Sequence, residues 1–147
     1  MRINGQWTLC DDGAIRPVVQ GLVRVNEEKW VEVPFLLDAG ADRTVFSAQL
    51  IDLLRPLENH EAEKIHLAGI GGLSGSITIE TVIGFKSDEG RIATVRGTFG
   101  VFTQIEFADM SVLGRDLTNN FNVIYDYPNQ LVALLAPPHF YEIKKAS

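Results

Sequence analysis

Cysteine is nearly absent: Cys10 is the sole example in 147 residues. One thiol can neither close an intramolecular disulfide nor build a thiolate metal cage, and it fits a reducing compartment. It reads as a small apolar packing residue. Basic charge is also scarce, with 13 Lys and Arg against 19 Asp and Glu and a net charge of −6. Phosphate binding needs a basic face, so no nucleic-acid partner is expected. Long apolar runs are missing too. No stretch approaches the ~18 residues that span a bilayer, and Met1-Arg2-Ile3-Asn4-Gly5-Gln6 lacks the apolar core of a signal peptide. The expectation is a cytoplasmic protein with no membrane partner. There is no internal repeat and no low-complexity tract. His60, His66 and His139 do not fall at metal-ligand spacing with acidic neighbours, so no metal and no other cofactor is expected. Glu58, Glu61 and Glu63 nearby read as a solvated loop.

What is present is a chain with enough apolar residues for a real core. Hydrophobic residues make up 46% and charged residues 22%, a balance that excludes disorder at the length of one ordinary domain. Strand signals dominate. Residues 18–25 and 30–37 are β-rich runs joined by Asn26-Glu27-Glu28-Lys29, which predicts a hairpin. Pro34 in the second run predicts an edge position or a bulge. Ser47 is a helix N-cap for about two turns that Pro56 stops, with Leu50, Ile51 and Leu54 on one face. Further strands are expected over 65–68, 76–85 and 91–101, with a short apolar one ending at Val112-Leu113-Gly114. Residues 115–120 read as one or two helical turns. Residues 121–127 and 131–135 flank Pro128-Asn129-Gln130 and predict a second hairpin. Many short strands with little helix predict an all-β, closed, mostly antiparallel fold.

One segment carries a candidate chemistry: Leu36-Leu37-Asp38-Ala39-Gly40-Ala41-Asp42-Arg43-Thr44. A carboxylate leaves the end of an apolar run, and Gly40 supplies permissive backbone and an unobstructed amide. Two such carboxylates within about 3 Å cannot both ionise, so they share a proton. Such a pair can hold a water, one member acting as general base and the other protonating a substrate carbonyl. The chain has one such segment, so a carboxylate partner has to come from a second copy. A plain strand-ending Asp-Xaa-Gly turn is the alternative. Between two strand runs, Gly69-Ile70-Gly71-Gly72-Leu73-Ser74-Gly75 has four glycines in seven residues. It lacks the Lys-Ser/Thr ending of a phosphate loop, and Ser74 and Ser76 lack a nucleophile-elbow context.

The segment from Leu36 to Phe46 resembles the active-site segment of retropepsin-like aspartic proteases: two apolar residues, Asp-Thr/Ser-Gly-Ala-Asp, then a threonine and an apolar pair. Ala68-Gly69-Ile70-Gly71-Gly72-Leu73 is similar to that family's glycine-rich flap. Ser111-Val112-Leu113-Gly114-Arg115-Asp116-Leu117 is similar to its apolar-apolar-Gly-Arg-Asp/Asn segment. All three come in the family's order, and the last hairpin resembles that of pepsin-type lobes. The likeness covers roughly residues 17 to 136.

The resemblance implies a retropepsin-like closed β-barrel with one or two short helices and a glycine-rich flap hairpin. It implies a single domain over 1–136, with 137–147 as a tail, acting as a homodimer on an extended peptide or unfolded protein. Asp38 would be the catalytic aspartate. Ala39, Gly40, Ala41 and Asp42 would form the active-site loop and bind substrate main chain. Gly69, Ile70, Gly71, Gly72 and Leu73 would form the flap, whose tip costs little to open and excludes water when closed. Arg115 would brace the loop through an ion pair with Asp42, and Gly114 would let two segments pass closely. Ala39 departs from the pattern. The family's hydroxyl there crosses the dimer to the partner's backbone, which alanine cannot do. A dimer that is looser, that is held by its terminal strands, or that has reduced activity follows. The second reading is therefore a peptide-binding or dimerisation module without turnover.

Overall fold

The computed structural model describes residues 1–54, 67–69, 72–74, 76–103, 110–138, 142 and 144. Among the described residues, eleven strands and two short α-helices run in the order β1 (Arg2–Leu9), β2 (Ile15–Arg24), β3 (Trp30–Leu37), β4 (Val45–Phe46), α1 (Ile51–Leu54), β5 (Leu67–Gly69), β6 (Gly72–Ser74), β7 (Ser76–Lys86), β8 (Ile92–Phe102), β9 (Ser111–Leu113), α2 (Arg115–Thr118), β10 (Asn122–Asp126) and β11 (Leu131–Leu135). The expected all-β architecture is the observed one.

Nine strands form one sheet in the order β10-β11-β1-β2-β3-β9-β4-β8-β7, and a further pairing of β2 with β7 closes it. The closed ring is thus six strands, β2-β3-β9-β4-β8-β7. Alternation drives it: in β3, Val33, Phe35 and Leu37 point inward while Glu32, Pro34 and Leu36 are less buried. The interior is filled by four phenylalanines in a chain. Phe35 lies 5.9 Å from Phe46 and 6.3 Å from Phe85, and Phe46 lies 5.8 Å from Phe99, in tilted or edge-on geometry. Those are favourable arrangements for aromatic pairs.

Both predicted hairpins are present. In the first, Val18 to Arg24 pair with Leu36 to Trp30. Pro34 pairs opposite Gln20, and on its other side β3 is joined by β9 only from Phe35 onward. Pro34 therefore sits where β3 has an open edge among the described residues, which suits a residue without an amide proton. In the second, β10 and β11 pair from Asn122↔Leu135 to Asp126↔Leu131. Ser47 caps as expected: its hydroxyl accepts from Gln49 N at the start of a 3-10 turn, Ala48–Leu50, that runs into α1.

β1, β4 and β6 lie outside the expectation. β4 is only two residues long. β1 changes partner midway, with Arg2 to Gly5 on β11 and Gln6 to Leu9 on β2. Gly5 stands at the handover, where a Cβ would come within 2.6 Å of Val18 O and 2.9 Å of Val132 Cγ1. Any side chain there would push two strands apart. Among the described residues, no helix is long and apolar enough to cross a membrane.

Candidate active site

Two neighbouring strands bring the site together. β3 and β9 run parallel in register, Leu37 beside Leu113, so both end at the same end of the barrel. β3 delivers Asp38 there and β9 delivers Gly114 and Arg115. The strand pairing continues one step further, with Asp38 N donating to Leu113 O at 3.3 Å. The chain then turns: Ala41 N donates to Asp38 O at 3.2 Å, and Gly40 N donates to Asp38 Oδ1 at 2.9 Å. Asp38 is half-buried while Ala39 and Gly40 are exposed. The carboxylate is thus oriented by its own turn and remains open to a ligand or to another chain.

Beneath this turn lies a bracing layer. Arg115 N donates to Ala41 O at 2.9 Å and Asp116 N to Asp42 O at 3.2 Å. The Arg115 guanidinium forks over the loop, one arm donating to Ala39 O at 2.8 Å and the other paired with the Asp42 carboxylate. Both side chains are exposed, and an exposed ion pair contributes little net stability. What the fork supplies is geometry, since a planar guanidinium fixes a carbonyl and a carboxylate together. Gly114 is where the two segments touch: a Cβ there would lie 2.4 Å from Arg43 C and 2.5 Å from Arg43 O. Its φ of −90° is open to any residue, so the requirement is steric.

The sequence reading did not identify the strongest brace. Thr44 is fully buried. Its amide donates to both Asp116 oxygens, at 2.9 and 3.0 Å, and its hydroxyl donates to Asp116 Oδ1 at 2.7 Å. The same hydroxyl accepts from Gly114 N at 3.0 Å. Asp116 Oδ1 also accepts from Leu117 N at 3.0 Å, inside the first turn of α2. One carboxylate therefore ties the outgoing end of the Asp38 loop to the start of α2. The pair is 72 residues apart, and nothing local marks it.

β5 and β6 form an antiparallel two-stranded unit, Leu67↔Ser74, Ala68↔Leu73 and Gly69↔Gly72. The strands thus include Gly69 and Gly72, which the sequence reading had assigned to the connecting glycine run. Of the residues expected in the flap, Ile70 and Gly71 lie outside the described residues, as do His60, His66 and His139. Among the described residues, no three His, Cys, Asp or Glu side chains are grouped to hold a metal.

A tyrosine on β10 also belongs to the surroundings of Asp38. Burial pushes the Tyr125 phenol above its ordinary value, and the Asp38 carboxylate adds to the shift. Trp7 packs against this residue, its ring 6.3 Å from Tyr125 and 5.0 Å from Tyr127, edge-on to the latter. Trp7 Nε1 donates to Leu131 O at 3.2 Å, which pins the indole over the last hairpin.

No family model matches the chain, and no curated protein matches it. Solved structures do resemble it. A retropepsin-like aspartic protease from Rickettsia conorii superposes with a TM-score of 0.57 at 16% identity, covering 91% of this chain and 90% of that one. EIAV protease complexed with the inhibitor HBY-793 gives 0.47 at 22% identity over 71% and 86% of the two chains. The retroviral protease-like domain of Ddi1 from Leishmania major gives 0.47 at 15% identity over 84% and 98%. At such identities a likeness speaks for fold alone, and the Rickettsia match spans nine-tenths of both molecules. With its closed six-stranded barrel, two short helices and C-terminal hairpin, the chain has the retropepsin-like fold.

Proposed function

We propose that the chain is a homodimeric aspartic endopeptidase that hydrolyses peptide bonds with a water activated between two Asp38 carboxylates, one from each copy. The observation that carries this reading is a single half-buried Asp38 held by Gly40 N on a braced turn. Two-carboxylate chemistry needs a second carboxylate beside Asp38, and a twofold axis would supply one from another copy. In the reaction, the ionised carboxylate removes a proton from water while the oxygen forms a bond to the substrate carbonyl carbon. The protonated carboxyl gives its proton to the carbonyl oxygen. The gem-diol then collapses as the C–N bond breaks and the amine leaves with a proton. No cofactor takes part.

In this reading residues 1–136 are the catalytic domain and 137–147 a tail of a cytoplasmic protein. An extended peptide lies across the loop at residues 39–42, hydrogen-bonded by Gly40 and Asp42. The glycine-rich hairpin at residues 67–74, including Gly69, Ile70, Gly71, Gly72 and Leu73, closes over it. Gly114 and Arg115 hold the loop from below. The test is cleavage of an unfolded protein by the purified chain, abolished by Asp38→Asn and blocked by a statine-type inhibitor. Undiminished cleavage by purified Asp38→Asn would sink the proposal.

Ala39 favours a second reading. It is exposed and offers no hydroxyl, so a twofold dimer would lack two cross-dimer hydrogen bonds, one from each copy. The same loop would then bind peptide or join two copies without turnover. That reading predicts peptide binding with no product from about pH 3 to about pH 8, a span on both sides of the upper pKa of a carboxylate pair, about 4.7 in pepsin. Any Asp38-dependent product rules it out.

A further inference from the structure

Strand register brings Tyr125 to the end of the barrel where Asp38 sits. Trp7 stands opposite Pro17. Val18 stands opposite Leu36, so the same register sets Pro17 beside Leu37, and Leu37 lies beside Leu113. Trp7 therefore heads a row that crosses two strand spacings, about 10 Å, to the residue before Asp38. Leu37 belongs to the core and Trp7 packs against it, so both side chains face the barrel side of the sheet. On β10, Val123 also packs against the core, and Tyr125 two residues on shares its face. The Tyr125 ring lies 6.3 Å from the Trp7 ring. Packing thus carries the phenol toward the Asp38 turn, and of the described charges Asp38 is the one that acts on it.

Hydrogen bonding at this place is incomplete on both sides. Asp38 Oδ1 accepts from Gly40 N at 2.9 Å, and among the described residues no donor reaches Oδ2. The Tyr125 hydroxyl hydrogen-bonds to none of the described residues, although more than half of the residue is covered, with 44% exposed. A phenol both donates and accepts, and each carboxylate oxygen has room for two donors. The surrounding charges are matched or turned to solvent. Arg115 is held by Asp42 and Ala39 O, and Arg16 by both oxygens of Asp12. Asp116 is held by Thr44 and Asp126 by Asn129, while Arg43 is exposed. Among the described residues, Tyr125 is the uncommitted phenol that Asp38 acts on.

We propose that Tyr125 is a positioning residue for Asp38: its phenol donates toward Oδ2 through one bridging water and fixes the side of the carboxylate that Gly40 N leaves untied. A polar gap too long for a direct bond is where a water bridges. The proposal rests on the two-aspartate reading, in which the orientation and ionisation of Asp38 set the rate. A donor on a carboxylate favours its charged form. Tyr125 therefore helps to keep one member of the pair ionised in acid, and it acts within its own chain in each copy.

The test is Tyr125→Phe, which keeps the ring against Trp7 and removes only the hydroxyl, with Tyr127→Phe as the control. Tyr125→Phe should melt within about 2 °C of the native protein. Its kcat should fall about threefold to tenfold with KM unchanged, and the acid limb of its kcat/KM profile should move up by about half a pH unit to one unit. Tyr127→Phe should change neither. A readout independent of cleavage is the Asp38 carboxyl carbon followed by carbon-13 NMR, which should titrate at higher pH in Tyr125→Phe than in the native chain. Cleavage by Tyr125→Phe with the native kcat and pH profile overturns the role of Tyr125 and leaves the two-aspartate reading intact. A change in KM alone also overturns it, since the phenol then binds peptide instead of positioning Asp38. A chain that never cleaves, but whose Asp38 resonance moves in Tyr125→Phe, supports the contact and removes the enzyme. No cleavage and no movement overturns both.

Discussion

Replacing Gly114 with alanine is the sharpest perturbation of the site's foundation. The new methyl carbon would sit 2.4 Å from Arg43 C, 2.5 Å from Arg43 O and 2.8 Å from Arg43 N. These are backbone atoms, so no side chain can swing aside and one segment has to move. Overpacking of this kind costs about 1–3 kcal/mol. The displacement also pulls Gly114 N from Thr44 Oγ1 and Arg115 N from Ala41 O. Leaving a buried polar group unpaired adds about 1–3 kcal/mol. The expected loss is ~3–5 kcal/mol, a large share of the ~5–15 kcal/mol that holds a domain. At roughly 2–4 °C per kcal/mol for a chain of this size, the melting temperature should fall by about 6–20 °C. Gly40→Ala is the contrast, because among the described residues the added Cβ meets only Asp38 Oδ1, at 3.2 Å. That variant should melt within about 2 °C of the native protein, as surface changes usually do, while it displaces the carboxylate and lowers activity. Differential scanning calorimetry of both decides the matter. A Gly114→Ala protein that melts like the native one would refute the close approach on which the bracing layer depends.

Asp116→Ala should cost about 2–3 kcal/mol, because it strands the Thr44 amide and hydroxyl in a buried position. Asp116→Asn keeps one acceptor and should cost less than half as much; equal chemical-denaturation midpoints for the two would remove the role assigned to the carboxylate. Tyr125 gives a pH signature. Its folded value is raised, so its contribution to stability is complete below the ordinary tyrosine value of about 10 and is lost as pH rises through the folded value. Ultraviolet absorbance titration, with Tyr125→Phe as reference, should find Tyr125 titrating late. Asp38→Asn should move it only part of the way back, since burial remains the larger cause. No change on Asp38→Asn would separate the two residues.

Strands with clean alternation were legible in the sequence. Residues 30–37 put Val33, Phe35 and Leu37 on one face, and the structure buries those three. The helix start was legible through Ser47, whose hydroxyl caps as its type predicts. β1 was not, because Arg2–Leu9 holds a glycine and buries only Ile3 fully, so no apolar stripe announces it. β4 is too short to carry a period. At the site, Asp38, Gly114 and Arg115 could be named because they sit in motifs. The structure adds that Arg115 reaches both Ala39 O and Asp42. The Thr44–Asp116 tie could not be named, since it depends on β3 and β9 lying side by side, a tertiary fact absent from either segment alone.

Whether the site is made by two chains is answered most directly by mixing subunits. Asp38→Asn protein is added to an equal amount of native protein and allowed to exchange, and cleavage is measured per native chain. Random pairing leaves a quarter of the dimers with two native aspartates, so activity should fall to about half, with the variant acting as a dominant inhibitor. Activity that stays unchanged as the variant is added would mean that each chain works alone, and the shared site of two Asp38 carboxylates would be wrong.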